Sequence, residues 1–124
     1  IVFCAPDIPW LGDWVGYLQT EYWGWKNYPK LLEKHPGLTL ADVNRLLSYF
    51  DTMNIAEWIS CPVLMSVGLQ DRVCPPRTSF APYNAVTSEK EYRVYPFAGH
   101  NTWYQHIETK EAWMAKKLGI ESIR

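Results

Sequence analysis

The sequence lacks any long apolar run and carries no excess of charge of either sign. No stretch reaches the roughly 18 apolar residues in a row that a membrane-spanning helix needs, so we expect no membrane partner. The chain has 12 basic and 13 acidic residues, and its net charge of −1 gives no electrostatic footprint for a nucleic-acid partner. The apolar content of 48% excludes a disordered chain.

Cysteine is scarce, with three residues in all, Cys4, Cys61 and Cys74. An odd number cannot pair fully within one chain, and no C-x-x-C motif occurs, which favours reduced, buried thiols and a cytoplasmic location. The chain opens on Ile1 rather than on Met, so we expect its natural start to lie upstream. The absence of a signal peptide therefore says nothing about secretion.

Aromatic residues are abundant in comparison, with 7 Trp, 8 Tyr and 4 Phe. A chain of 124 residues rarely buries so many aromatic rings in a core of its own. The surplus indicates either a carbohydrate-facing surface or a part of a larger protein, in which further chain or another subunit covers the rings.

The pattern of apolar segments is that of an α/β protein. Short apolar runs predict three buried strands, at residues 1–5, 62–68 and 91–95. Helical spacing and capping residues predict helices over residues 9–18, 28–34, 39–49, 53–59, 76–86 and from 101 or 102 to 118. Strands separated by helices favour a parallel sheet of about three strands with flanking helices. Because the first strand would leave an apolar edge, we expect further strands outside the chain.

Two side chains that can act as an acid–base pair follow neighbouring strands. Asp71 lies in the loop after the second strand, and His100 lies in the loop after the third. In open parallel sheets the sites form at the carboxyl ends of the strands, where these loops are. A buried carboxylate can orient an imidazole, which takes a proton from a hydroxyl nucleophile and returns it to the leaving group. In the α/β-hydrolase chain order of Ser, Asp and His, these residues would be the second and third members.

Each of the two residues also has a purely structural interpretation. Asp71 could cap the turn before Pro75, and His100 could be an ordinary loop residue before the last helix. Their joint placement, each after a strand and with one helix between them, favours the catalytic interpretation.

The nucleophile is missing from this pattern. No G-x-S-x-G motif occurs, and none of the serines lies on a glycine-flanked turn from strand to helix: Ser48, Ser60, Ser66, Ser79, Ser88 and Ser122. Cys74 is an unfavourable substitute, because it shares a loop with the acid and has no oxyanion-forming turn around it.

Several stretches of the chain are very similar to the acetyl xylan esterase / cephalosporin C deacetylase family. They are DIPWLGDW at residues 7–14, SYFDTMN at 48–54, ISCPVLMSVGLQDRVCPP at 59–76, FAPYN at 80–84 and YPFAGH at 95–100. The resemblance stays in register along nearly the whole chain, so it is far more specific than an acid and a base alone.

The resemblance implies an α/β-hydrolase fold and serine-dependent deacetylation, with Asp71 as the catalytic acid and His100 as the catalytic base. It also implies acetylated xylo-oligosaccharides or small acetyl esters as substrates, and a homo-oligomer. The family's serine and its oxyanion-hole tyrosine would precede Ile1. Residues 1–124 are then expected to be the C-terminal portion of a single hydrolase domain, inactive alone.

A second hypothesis is a non-catalytic module that binds carbohydrate or a partner through its tryptophans. Trp10 and Trp14 fit packing under the part of the domain expected upstream of Ile1 better than they fit sugar stacking. Trp23 and Trp25 lie in an irregular stretch, where stacking on a sugar or an interface with a partner remains open.

No cofactor and no metal are predicted. His106 follows His100 on the last helix, but its spacing does not put both rings on one helix face. No cluster of carboxylates and histidines completes a metal site.

Overall fold

The computed structural model describes residues 1–10, 12–18, 27–101 and 104–123, with the backbone alone at residue 27. The elements are α1 (Trp14–Leu18), α2 (Asn27–Lys34), α3 (Leu40–Leu47), α4 (Thr52–Ile55), a 3-10 helix (Ala56–Trp58), β1 (Val63–Gly68), α5 (Pro76–Ala85), β2 (Lys90–Tyr95) and α6 (Tyr104–Leu118). No helix in these ranges is long and apolar enough to cross a membrane.

The sheet is built on the parallel pairing of β1 with β2, as the sequence predicts. The register runs from Val63 opposite Lys90 to Gly68 opposite Tyr95. Every residue of β1 is buried, which fits its unbroken apolar character. Parallel pairing brings the carboxyl ends of both strands to one edge of the sheet.

Helices cover the two faces of the sheet. Side chains of α5 pack against Val63 and Met65, which share one face of β1. On the other face, Trp113 of α6 donates a hydrogen bond of 2.7 Å from its indole nitrogen to Glu91. This contact holds the pKa of the Glu91 carboxyl below its usual range. The sheet is therefore covered by a helix on each side.

The first predicted strand is wrong in its extent and in its burial. Residues 1–5 form no strand, and the segment meets β1 at only two bridges, Cys4 with Val63 and Asp7 with Ser66. The backbone N–H of Cys4 donates to the carbonyl oxygen of Pro62, directly before β1, at 2.9 Å, and the N–H of Ile8 donates to Ser66 of β1 at 3.2 Å. In a parallel pairing the residue between them, residue 6, should also donate a backbone hydrogen bond. It is a proline and has no N–H, so the pairing with β1 is interrupted there. Ile1 is fully exposed as well.

Local capping residues account for the helices that the sequence places correctly. Thr39 and Asp42 form the reciprocal capping box at the start of α3. Pro76 occupies the first turn of α5, where its missing N–H costs nothing. Gly119 adopts a φ of +68° directly after α6, a conformation that glycine reaches without strain.

The first helix is shorter than predicted, because α1 begins at Trp14 and not at residue 9. The preceding backbone is not helical: Ile8 and Asp13 have φ values of 47° and 52°. Gly12 lies against α5, where an added Cβ would be 2.4 Å from the carbonyl oxygen of Thr78. Pro9 and Gly12 thus lie against α5 outside any helix, and Gly12 allows the close approach.

Asp51 joins the start of α1 to the start of α4. Its carboxylate accepts backbone hydrogen bonds of 2.9 Å from Asp13, Trp14 and Met53. Its exposed fraction is only 4%. One buried side chain therefore satisfies the first N–H groups of two helices that lie far apart in the sequence.

Replacing this shared cap should destabilise the chain strongly. We expect Asp51→Ala to lower the free energy of unfolding by about 2–4 kcal/mol, because it leaves buried N–H groups of two helices unsatisfied. Urea unfolding followed by circular dichroism measures the loss. The matched control is Asp42→Ala, which removes the exposed carboxylate that accepts the Thr39 N–H at the start of α3 and should cost less than half as much. Equal losses in the two variants would contradict this account.

Candidate active site

The carboxyl ends of β1 and β2 bring Asp71 and His100 into contact. Nδ1 of His100 lies 3.0 Å from Oδ2 of Asp71. The Asp71 side chain has no exposed surface, whereas 47% of the His100 side chain is exposed. The pair therefore combines a buried carboxylate with an imidazole that solvent and a substrate can reach.

Close backbone contact between the two loops fixes this arrangement. The N–H groups of Leu69 and Gln70 donate to the carbonyl oxygens of Tyr95 and Ala98, at 3.1 and 2.9 Å. Gly68 makes the approach possible, since an added Cβ there would lie 2.4 Å from the carbonyl oxygen of Ala98. The loop that carries the carboxylate thus rests directly on the loop that carries the imidazole.

The Asp71 carboxylate is oriented by its own loop. Oδ1 accepts hydrogen bonds of 2.8 Å from the backbone N–H groups of Val73 and Cys74. This leaves Oδ2 to accept the Nδ1–H of His100. In that tautomer Nε2 carries the lone pair, and it has no hydrogen-bond partner among the described residues. The arrangement can accept a proton at Nε2 and stabilise the resulting imidazolium.

Cys74 is unsuited to act as the nucleophile. The thiol is buried, with an exposed fraction of 3%. Burial, followed by the negative charge of Asp71, raises the pKa of this thiol to about 11. Little thiolate is present at neutral pH, and the thiolate is the reactive form.

The same loops assemble a group of metal-ligating side chains that the sequence analysis does not predict. One ligand atom each from Asp71, Cys74 and His100 lie within 4.8 Å of one another. The sequence pattern shows no metal-ligand spacing, because His100 lies 26 residues after Cys74 and meets it only in the fold.

A buried network around His106 is a second feature that the sequence analysis misses. His106 is 2% exposed, and its Nδ1 lies 2.9 Å from the hydroxyl of Tyr95. Its Nε2 lies 2.7 Å from Oδ1 of Asp7, whose other oxygen accepts a hydrogen bond from Lys110. The Asp7 carboxylate accepts the Nε2–H of His106, so in the neutral ring Nδ1 accepts a hydrogen bond from the Tyr95 hydroxyl.

This network fastens residues 1–8 to β2 and α6. His106 and Lys110 are four residues apart on α6, a spacing that puts both on one helix face. Their common partner Asp7 lies 99 positions from His106. The sequence spacing therefore indicates that His106 and Lys110 are neighbours, but it does not indicate that both contact Asp7. Its role is structural, since it joins three elements of the fold.

Two of the four tryptophans proposed for binding are engaged in packing. Trp10, Trp14 and Tyr17 form an aromatic cluster with ring centroids 5.9–6.4 Å apart. Trp10 is still 43% exposed, and its packing under an upstream part of the domain stays a prediction. Trp23 and Trp25 lie outside the described residues, so the binding-module hypothesis built on them remains a prediction.

The sequence matches an established family and curated proteins. A family model described as acetyl xylan esterase (AXE1) matches residues 2–118. Acetyl esterase Axe7A from Xylanibacter ruminicola is 32% identical over 118 residues, which cover 95% of this chain and 26% of that protein. The chain thus spans about a quarter of this relative's length.

Two solved structures are similar in both sequence and fold. Acetyl xylan esterase 1 from Thermoanaerobacterium sp. JW/SL YS485 has a TM-score of 0.79 and 31% identity, over 97% of this chain and 38% of that one. The acetyl xylan esterase from Paenibacillus sp. R4 has a TM-score of 0.80 and 30% identity, over 95% and 37%.

A more distant likeness concerns the fold alone. Puromycin hydrolase has a TM-score of 0.72 at 21% identity, over 98% of this chain and 19% of that structure. Together with the two esterases, it confirms the predicted fold class, a part of an α/β-hydrolase. The number of strands differs, since the described residues contain two strands and a bridged segment where three strands were expected.

The close approach of the two loops can be tested with a pair of glycine variants. We expect Gly68→Ala to lower the free energy of unfolding by about 1–3 kcal/mol, because its Cβ would collide with the backbone of Ala98. Gly99→Ala, in the facing loop, meets nothing closer than 3.9 Å and should change stability by less than about 0.5 kcal/mol. Chemical denaturation measures both, and an unaffected Gly68→Ala variant would refute the contact.

Proposed function

The chain belongs to the acetyl xylan esterase family, and we propose that it supplies the acid and the base of a serine carboxylic-ester hydrolase. The observation that carries the proposal is the contact of 3.0 Å between Nδ1 of His100 and the buried Asp71 carboxylate. An imidazole held by a carboxylate in this way is the proton-transfer device of serine hydrolases.

The proposed reaction uses His100 first as a base and then as an acid. Nε2 takes the proton of a serine hydroxyl while the serine oxygen attacks the acetyl carbonyl carbon. The imidazolium, stabilised by Asp71, then gives that proton to the departing alcohol, which leaves an acetyl-serine. Water attacks the acetyl-serine with His100 again as base, and acetate and the free serine are released.

The serine comes from outside these 124 residues, which contain no G-x-S-x-G motif. We therefore propose that the chain is the C-terminal portion of a single hydrolase domain and is inactive by itself. The partial coverage of its relatives, 26% and 38% of their lengths, supports this proposal. So do three aromatic side chains that are at least three-quarters exposed, Tyr49, Trp58 and Phe97.

The proposed substrates are acetylated xylo-oligosaccharides and related small acetyl esters, including the acetyl group of cephalosporin C. Support comes from the relatives' names, which are acetyl esterase and acetyl xylan esterase. We also propose that the whole protein is a cytoplasmic homo-oligomer. The exposed aromatic surface and the three free cysteines are in keeping with that proposal.

A chimeric enzyme, called the joined protein below, tests whether His100 and Asp71 act as base and acid. This chain is inserted into the Thermoanaerobacterium acetyl xylan esterase in place of the segment that it matches, which leaves the rest of that enzyme intact. We expect the joined protein to hydrolyse a chromogenic acetate ester. His100→Ala should lower its kcat/KM by about 10²–10⁴, because it removes the general base.

The matched control is His35→Ala, which removes an exposed imidazole from the turn after α2 and should leave kcat/KM unchanged. Thermal unfolding shows whether each joined protein is folded. A folded joined protein without activity, or a His100→Ala variant that keeps more than about a tenth of the activity, would refute the proposal.

A further inference from the structure

The loop after β1 carries a second potential ligand atom beside the catalytic pair. The thiol of Cys74 belongs to the group of three atoms, with a carboxylate oxygen of Asp71 and a ring nitrogen of His100, that lie within 4.8 Å of one another. The proposed esterase reaction uses the carboxylate and the imidazole but has no role for the thiol. This unused thiol is what distinguishes the site from a simple acid–base pair.

The spacing of the three atoms is close to that of a zinc site. Bond lengths of about 2.0–2.3 Å to nitrogen, oxygen and sulfur place neighbouring ligands of a tetrahedral Zn²⁺ about 3.2–3.6 Å apart. Nδ1 of His100 and Oδ2 of Asp71 are already 3.0 Å apart. The limit of 4.8 Å for the whole group exceeds the zinc spacing by up to about 1.6 Å, so the ligands must draw together when the ion binds. Of the three side chains, the half-exposed imidazole has the most room to move.

The chemistry of the three ligands also selects Zn²⁺. A thiolate and an imidazole favour zinc over Mg²⁺ and Ca²⁺, which prefer oxygen ligands. Three protein ligands leave a fourth position for water, and the exposed side of His100 gives the ion a way in. The Asp71 carboxylate is already held through Oδ1 by two backbone N–H groups, which keeps Oδ2 pointed at the site.

We propose that Asp71, Cys74 and His100 bind one Zn²⁺ ion. Nδ1 of His100 and Oδ2 of Asp71 both coordinate the ion, so the hydrogen bond between these two atoms is lost. The thiol gives up its proton on binding, and the imidazole proton moves to Nε2. Nε2 then carries a proton and cannot act as a base, so zinc switches the site off. This last consequence rests on the proposed esterase function, whereas the binding itself does not.

The binding is tested on the chain itself. We expect calorimetric titration with ZnCl₂ to show one ion per chain, with a dissociation constant in the micromolar range or below, and MgCl₂ to show none. Cys74→Ser and His100→Gln should each weaken zinc binding by at least about tenfold, because each removes one ligand. Titration with Cd²⁺ should give a sulfur-to-metal charge-transfer band that disappears in Cys74→Ser.

The matched control is Cys61→Ser. Burial and, after it, the charge of Cys61 raise the pKa of the Cys4 thiol, so these two cysteines lie close enough to interact. They are a second place at which an ion that prefers thiolate ligands could bind. The control should keep both the zinc stoichiometry and the cadmium band. Circular dichroism establishes that each variant is folded, and the exposed position of His100 keeps His100→Gln informative if Cys74→Ser does not fold.

Two results would overturn the proposal. One is zinc binding by less than one ion per two chains at micromolar zinc. The other is binding that is lost in Cys61→Ser but kept in Cys74→Ser or His100→Gln. In the joined protein, micromolar zinc should abolish ester hydrolysis and a chelator should restore it. A joined protein that binds zinc but never hydrolyses esters would refute the proposed function and leave the zinc site standing.

Discussion

The parallel pairing of β1 with β2 is the constraint on which the site depends. Because the two strands run in the same direction, their following loops emerge at one edge of the sheet and rest on each other. Gly68 lets the backbones touch, and the buried Asp71 carboxylate divides its two oxygens between its own loop and His100. Each of these contacts restricts the orientations that the His100 imidazole can adopt. Without them it would be an exposed side chain on a loop.

Features that arise from neighbouring residues could be predicted from the sequence. The apolar run of β1, the capping box at Thr39 and the position of Pro76 all depend on local preferences, and the structure confirms them. The placement of Asp71 and His100 followed from strand order alone. The prediction of a strand at residues 1–5 is wrong, because this part of the chain bonds to the sheet at only a few points. The missing N–H of Pro6 prevents the pairing from continuing past residue 5.

Other features were beyond sequence reasoning because their partners are distant along the chain. Asp51 caps a helix 37 positions upstream, and Asp7 binds His106 across 99 positions. The sequence around a single aspartate does not indicate a hydrogen-bond partner that is distant along the chain. Such a partner can be identified only in the folded structure. The family resemblance included both aspartates without giving a reason. The structure supplies that reason, since both hold the segments before the sheet in place.

The most direct test of the account is the protonation of the His100 ring, measured by NMR of the imidazole nitrogens in the chain. We predict a protonated Nδ1 whose proton resonates far downfield and exchanges slowly, with an unprotonated Nε2. Asp71→Asn should remove this resonance, while the exposed His35 never shows it. A His100 ring that carries its proton mainly on Nε2, as a free imidazole in water does, would contradict the claim that Asp71 and His100 form a working pair.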